Sequence, residues 1–130
     1  MKVLGTTVPL GDQNSLPLEL LGNNEIEVSI NPLGKKLNEE ELMGLIPDID
    51  VLIAGTELIT ERVMAKAPKL KMISRVGIGL DGIDLKAAKQ RGIRVSYTPD
   101  APAPAVAELT VGLLISLLRS VQLSNSQMHQ

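Results

Sequence analysis

The chain has 130 residues, of which 44% are apolar and 22% are charged, and its formal net charge at pH 7 is −2. This length and composition suffice for one globular domain with a hydrophobic core. Without a basic run, and with Tyr97 as the only aromatic residue, the chain lacks the features of a nucleic-acid-binding protein. The absence of cysteine excludes disulfides, thiolate metal sites and a thiol nucleophile. No export signal precedes Pro9, so a cytoplasmic protein without membrane contact is expected.

Apolar runs and turn residues alternate along the first 97 residues. Strands are predicted over 2–8, 25–30, 51–55, 70–76 and 93–97. Helices are predicted over 15–21, 38–46, 60–67 and 84–91, with Asn38, Thr60 and Asp84 as N-caps. Five strand–helix units in alternation predict an α/β fold with a doubly wound parallel sheet. Ligands of such sheets bind at the carboxyl ends of the strands.

The stretch 70–84 carries the strongest local signal for a binding site. A short strand runs into Gly77-Ile78-Gly79, where the missing Cβ atoms let backbone N–H groups approach an anion. The spacing Gly77-x-Gly79-x-x-Gly82 also matches the dinucleotide fingerprint, with Asp100 near the position of a ribose-binding acid. In that motif the helix opens within the glycines, whereas here the helix is predicted to begin at Asp84. A bare strand-to-helix turn remains the alternative.

The last quarter of the chain has a different character. The proline-rich stretch 98–104 is predicted to be a stiff connector, and 105–122 a helix. No charged residue lies between Leu109 and Leu118, so this helix needs burial on more than one side, although it is too short for a membrane span. We expect it to pack on a second copy of the chain or on a segment outside these residues. The polar tail 123–130 is predicted to be frayed.

Three sequence blocks resemble the D-2-hydroxyacid dehydrogenase family, especially its phosphoglycerate dehydrogenase-like members. They are 74–81 (SRVGIGLD), 87–98 (AAKQRGIRVSYT) and 106–113 (VAELTVGL), and the stretch 55–60 (GTELIT) is similar to the loop after the family's third strand. The resemblance implies that 1–104 is a flavodoxin-like substrate-binding domain with strand order 2-1-3-4-5. It also implies that 105–122 is an interdomain and dimerisation helix, and that a separate Rossmann cofactor domain follows in relatives and is absent here.

The same resemblance implies a substrate site and a cofactor contact. The substrate carboxylate is expected on the backbone of five consecutive residues, Arg75, Val76, Gly77, Ile78 and Gly79. The cofactor, NAD or NADP, is expected to touch Ile78 and Thr110 across a cleft. The alternatives from the residues themselves are an ion pair for Arg75 and, for the Thr110 hydroxyl, a bond to a carbonyl one turn back.

The acid–base residues of the family lie downstream of this sequence in relatives. His129, the only histidine, sits in the tail and is not a credible catalytic group, so no catalytic or metal-binding residue is assigned. The resemblance therefore implies an NAD(P)-dependent oxidoreductase of a small 2-hydroxy or 2-oxo acid. These 130 residues alone are expected to be inactive and to bind no cofactor tightly. The alternative is a stand-alone flavodoxin-like module that binds a small anion or nucleotide, or an interaction module.

Two departures from the family pattern bear on the substrate. Ala54 and Gly55 stand where relatives that act on phosphoglycerate carry an arginine, which argues against 3-phosphoglycerate. Gly82 stands where an asparagine is usual, so no role is assigned to a side chain there.

Overall fold

The computed structural model describes residues 1–8, 10–12, 14–24 and 26–129, which form two compact units, Met1–Thr98 and Pro99–Gln130. The strands of the first unit are β1 (Lys2–Gly5), β2 (Glu27–Ile30), β3 (Val51–Ala54), β4 (Met72–Arg75) and β5 (Arg94–Tyr97). Its helices are α1 (Leu16–Gly22), α2 (Glu39–Leu45), α3 (Glu61–Ala65) and α4 (Leu85–Gln90). The second unit contains α5 (Ala103–Leu118) and α6 (Val121–Met128). Pro9, Glu25 and Gln130, which the sequence assigned to a strand end, a strand start and the tail, lie outside the described residues.

The five strands form one sheet in the order β2-β1-β3-β4-β5, and every neighbouring pair is parallel. This result confirms the predicted α/β fold and its strand order. In the register of the central strands, Ala54 at the end of β3 lies opposite Arg75 at the end of β4. The segments that follow these two strands therefore leave the sheet at the same edge.

The core lies where helices cover the central strands. Leu52 of β3 and Ile73 of β4 are fully buried, together with Leu42 of α2 and Val63 of α3. These side chains belong to one hydrophobic cluster. A continuous apolar strand suits an interior parallel position because both of its faces are available for burial.

Local capping explains where two of the helices begin. The Asn38 side chain accepts from the Glu41 N–H at 2.9 Å, and the Glu41 carboxylate accepts from the Asn38 N–H at 3.0 Å. This reciprocal pair satisfies two backbone donors at the start of α2. Asp84 caps α4 by accepting from the Ala87 N–H at 2.9 Å. Thr60 occupies the N-cap position of α3, but its hydroxyl donates to Glu39 instead of capping the helix.

The helix predicted over 105–122 is instead two helices. α5 begins at Ala103, because Pro104 lies in its first turn, where the missing proline N–H has no intrahelical partner to lose. The break after Leu118 falls at Ser120, whose φ of 50° is left-handed. The tail predicted to be frayed over 123–130 is helical as far as Met128.

The apolar character of α5 extends nearly all round the helix. None of its residues is buried, and Leu109, Leu117 and Leu118 are 63%, 78% and 74% exposed. Within the described ranges no single helix is long and apolar enough to span a membrane. α5 and α6 together reach that length and composition, but the pair is bent by 61° at the break.

Candidate functional site

A cleft of about 230 Å³ opens where β1, β3 and β4 end. It is lined by Thr6, Thr7, Val8, Lys36, Gly55, Thr56, Glu57, Arg75 and Val76. A smaller depression of about 120 Å³ shares four of these residues and extends along the glycine turn to Gly79, Asp81, Gly82 and Ile83. The cleft lies at the carboxyl edge of the parallel sheet, where the fold predicts a ligand.

A buried carboxylate organises one wall of the cleft. Glu57 is 3% exposed, and its Oε1 accepts hydrogen bonds from the Thr6 hydroxyl and, at 3.1 Å, from the Gly55 N–H. These bonds tie the segment after β3 to the end of β1. The sequence reasoning assigned no role to Glu57. The sequence feature that could have indicated its burial is its position, directly before the apolar pair Leu58-Ile59 and just after a buried strand.

The glycine turn has fewer free donors than the resemblance implies. The Val76 N–H donates to the Ala54 carbonyl at 2.9 Å, which continues the pairing of β3 and β4 by one residue. The Gly77 N–H donates to the Thr98 hydroxyl at 2.8 Å, and the Thr98 N–H donates to the Gly77 carbonyl at 3.1 Å. The N–H groups of Val76 and Gly77 are therefore engaged within the protein, and the binding of a substrate carboxylate at 75–79 stays a prediction. The sequence did not predict a role for Thr98, because Gly77, to which both its hydroxyl and its N–H are bonded, is distant from it in the sequence.

Two donors of the turn remain available. Among the described residues, the N–H groups of Ile78 and Gly79 have no hydrogen-bond acceptor. They follow Gly77, whose φ of 137° favours glycine. A Cβ atom on Gly77 would lie 2.7 Å from Nη1 of Arg75, so the guanidinium sits directly over the turn. Two adjacent N–H groups beside a guanidinium suit a carboxylate.

Among the described residues, Arg75 has no acidic partner. Its Nη1 donates to the Val76 carbonyl, and no carboxylate of the described residues lies within ion-pair distance. The ion pair that the residue type suggested is not formed within the part of the chain that the structure describes. A guanidinium has five N–H donors, so several stay available to a ligand.

The remaining predicted site residues lie in the second unit. The Thr110 hydroxyl donates to the Val106 carbonyl at 2.7 Å, which is the bond one turn back that the sequence offered as the alternative to a cofactor contact. His129 follows the last turn of α6. No cluster of three potential metal-ligating side chains occurs in the described part of the chain.

The dinucleotide fingerprint does not have its usual geometry here. Gly77, Gly79 and Gly82 all precede α4, which begins at Leu85. The Asp84 side chain occupies the N-cap of that helix. The helix N-terminus is thus separated from the glycines and capped by a carboxylate, which disfavours a pyrophosphate at that position.

The five-stranded parallel sheet, with a cleft at its carboxyl edge, agrees with the flavodoxin-like domain that the sequence resemblance implies. The family model of the D-isomer specific 2-hydroxyacid dehydrogenase catalytic domain matches residues 9–127. The chain therefore belongs to this family, and the resemblance of the three sequence blocks is confirmed.

Individual relatives agree with this assignment. The chain is 41% identical over 103 residues to a hydroxypyruvate reductase of Thermotoga maritima, covering 78% of the chain and 32% of that protein. It is 42% identical over 123 residues to a D-3-phosphoglycerate dehydrogenase of Methanocaldococcus jannaschii, covering 93% of the chain and 22% of that protein. A 3-phosphoglycerate dehydrogenase structure from Entamoeba histolytica with bound NAD+ has a TM-score of 0.79 at 31% identity, covering 89% of the chain and 38% of that chain. The chain thus spans 22–32% of the length of these curated relatives.

Proposed function

We propose that the chain provides the substrate-binding domain of an NAD(P)-dependent dehydrogenase that interconverts a 2-hydroxy acid and a 2-oxo acid. The observation that carries the proposal is the turn at 75–79, where the Ile78 and Gly79 N–H groups have no acceptor among the described residues and the Arg75 guanidinium lies against Gly77. A 2-oxo acid has one carboxylate next to the reacting carbonyl. Fixing that carboxylate by charge-assisted bonds determines which way the neighbouring carbonyl points.

The surrounding contacts hold this turn in place before a substrate binds. Thr98 accepts from Gly77 and donates back to it, and Val76 is paired with Ala54. Donors that are already oriented lose little entropy when the substrate arrives. A rigid turn on the end of a strand is therefore better suited to orienting a small acid than a free loop would be.

The nicotinamide, NAD or NADP, supplies or accepts the hydride when it is bound. The family includes NAD-bound enzymes, such as the Entamoeba protein. Ile78 lies within the turn and is 57% exposed, so its apolar side chain fits the face of a nicotinamide ring. The proposed cofactor contact of Thr110 competes with the hydrogen bond that its hydroxyl already donates to the Val106 carbonyl within α5.

The carboxylate site can be tested by measuring the affinity of hydroxypyruvate for Arg75→Gln by titration calorimetry. We expect binding to weaken about tenfold or more, the loss of a charge-assisted hydrogen bond. Arg91→Gln is the matched control, because Arg91 is the C-cap residue of α4 and its Nη2 lies 3.9 Å from Glu61 Oε1 on the surface. Equal affinities for the two variants would contradict the assignment of Arg75.

We also propose that the chain self-associates through 105–122. The support is the exposed apolar surface of α5, which includes Leu113, Leu114 and Leu117. Light scattering after size-exclusion chromatography should show a dimer or higher oligomer, and Leu114→Glu with Leu117→Glu should convert it to a monomer. Gln127→Glu adds a charge in α6, outside 105–122, and should leave the assembly unchanged. A monomeric parent chain at high concentration would contradict this proposal.

A further inference from the structure

One acidic side chain is buried beside the cleft. Glu57 is 3% exposed, and among the described residues no other charged side chain is buried. No basic group in that part of the chain lies within ion-pair distance of its carboxylate. A carboxylate that is buried without a cation costs free energy, and an apolar side chain at the same position would avoid that cost. The residue type therefore points to a role other than core packing.

The Glu57 carboxylate joins the ends of two neighbouring strands. Its Oε1 accepts from the Thr6 hydroxyl and, at 3.1 Å, from the Gly55 N–H. Thr6 follows β1, and its N–H donates to the Ile53 carbonyl at 2.9 Å, so it continues the pairing of β1 and β3. Gly55 follows β3 directly. The carboxylate thus holds the segment after β3, residues 55–59, on the end of the sheet.

The segment after β3 also supports the loop that follows β4. The Ile59 N–H donates to the Gly82 carbonyl at 2.8 Å, and the Asp84 N–H donates to the Ile59 carbonyl at 3.0 Å. Gly82 lies against the backbone of Glu57, because a Cβ atom at Gly82 would lie 3.0 Å from the Glu57 carbonyl oxygen. The far end of the loop therefore rests on the segment that Glu57 holds.

The free donors of the turn lie between two supports. At one end the Val76 N–H donates to the Ala54 carbonyl at 2.9 Å, and at the other end the loop is bonded to the segment after β3. The N–H groups of Ile78 and Gly79, which have no acceptor among the described residues, fall between these supports. Because both supports come from the end of β3 and the segment after it, a shift of that segment would move the two donors.

We infer that Glu57 is a positioning residue for the substrate site. Its carboxylate fixes the segment after β3 and, through that segment, the orientation of the Ile78 and Gly79 N–H groups. The inference rests on the proposed function, because the substrate carboxylate must bind at the turn. A direct contact is disfavoured, since a negative side chain repels a negative ligand. The site therefore depends on the hydrogen bonds of Glu57 and not on its charge.

The test measures the affinity of hydroxypyruvate for variants of the 130-residue chain by titration calorimetry. Glu57→Leu removes both hydrogen bonds and should weaken binding about tenfold, because donors that are no longer fixed lose entropy on binding. Glu57→Gln keeps an oxygen that can accept from Thr6 and Gly55, so it should restore the affinity to within about threefold of the parent. Glu39→Leu is the matched control, because Glu39 also accepts from a threonine hydroxyl, that of Thr60, but does not line the cleft. It should lower the stability and bind the acid as the parent does.

A second readout does not depend on the ligand. In the unliganded ¹⁵N-labelled chain, the amide signals of Ile78 and Gly79 should move in Glu57→Leu and stay near their parent positions in Glu57→Gln and Glu39→Leu. Thr6→Val removes the hydroxyl but keeps the shape of the side chain, so it tests the same contact if Glu57→Leu does not fold. It should weaken hydroxypyruvate binding about threefold and move the same two signals.

The outcomes separate the inference from the proposal beneath it. If Glu57→Leu bound hydroxypyruvate as tightly as the parent, or left the two amide signals unmoved, the role of Glu57 would be overturned and the carboxylate site would stand. The same results in Thr6→Val decide the question if Glu57→Leu does not fold. An equal loss of affinity in Glu57→Gln, or in Glu39→Leu, would also overturn positioning by these hydrogen bonds. A parent chain that bound no hydroxypyruvate would overturn the proposed function and the inference with it.

Discussion

The two compact units of the chain differ in what happens to their apolar side chains. In Met1–Thr98, Leu52 and Ile73 are fully buried between strands and helices. In Pro99–Gln130, α5 is rich in leucine, but none of its residues is buried. The first unit has the apolar core of an independently stable domain, whereas the second presents apolar surface. Composition alone does not separate a core helix from an interface helix, because both are apolar.

The largest expected effect of a substitution is in the first unit. Leu52→Ala removes a fully buried side chain from the central strand and should lower the free energy of unfolding by about 2–5 kcal/mol. Leu117→Ala, at a position that is 78% exposed, should change it by less than about 0.5 kcal/mol at low protein concentration. Urea denaturation followed by circular dichroism measures both. Similar losses would show that α5 is part of the same core.

The next effect concerns the glycine turn. Gly77→Ala places a Cβ at φ 137° and 2.7 Å from the Arg75 guanidinium, so it should cost about 1–3 kcal/mol of stability and weaken hydroxypyruvate binding. Gly79→Ala is the control, since its Cβ would meet only Asp81 Oδ2 at 3.4 Å. If Gly77→Ala were as stable as Gly79→Ala and bound the acid equally well, the turn would not depend on its left-handed glycine.

A smaller effect is expected from the threonine that fastens the turn. Thr98→Val removes the hydroxyl that accepts from the Gly77 N–H and should lower the free energy of unfolding by about 1 kcal/mol. Thr98→Ser keeps the hydroxyl and should retain most of the stability. Amide hydrogen exchange at Gly77 provides a local readout, because exchange should accelerate in Thr98→Val and not in Thr98→Ser. Unchanged exchange of the Gly77 amide in both variants would contradict the hydrogen bond between Gly77 and Thr98.

The smallest expected effect concerns how the stability of the first unit depends on pH. A hydrogen bond from Lys71, at 2.8 Å, and one from the Lys2 N–H hold the pKa of Asp50 below its ordinary value. A carboxyl whose pKa is lowered on folding stabilises the protein above its unfolded pKa of about 3.9, and this contribution is lost as the pH falls through the folded pKa. Asp50→Asn should therefore reduce the loss of stability on acidification below about pH 4, measured by urea denaturation. If the free energy of unfolding fell equally on acidification in Asp50→Asn and in the parent, the contribution of Asp50 would be contradicted.

Short-range signals in the sequence account for most of the fold. Alternating apolar runs and turns predict the five strands and their order once the family resemblance is included, and Asn38 and Asp84 mark two helix starts correctly. The second unit was less predictable. The start of α5 depends on a proline that is tolerated in a first turn, and its end depends on a left-handed serine, Ser120.

The position of the glycine turn was predictable, but the partners of its N–H groups were not. Gly77 and Gly79 mark the turn, because glycine at the end of a buried strand is a local signal. The use of the Gly77 N–H by Thr98 depends on how β4 and β5 pair, which no local pattern contains. The bond between Glu57 and Thr6 likewise joins segments that meet only in the folded sheet.

The most direct test of the proposed function is a titration of the ¹⁵N-labelled chain with hydroxypyruvate, followed by NMR. The account predicts that the amide signals of Ile78 and Gly79 shift most, because their N–H groups are free to donate to the carboxylate. The Gly77 signal should shift less, because its N–H already donates to Thr98. Shifts confined to residues outside the cleft, or no shifts at saturating acid, would contradict the assignment of the turn as the carboxylate site.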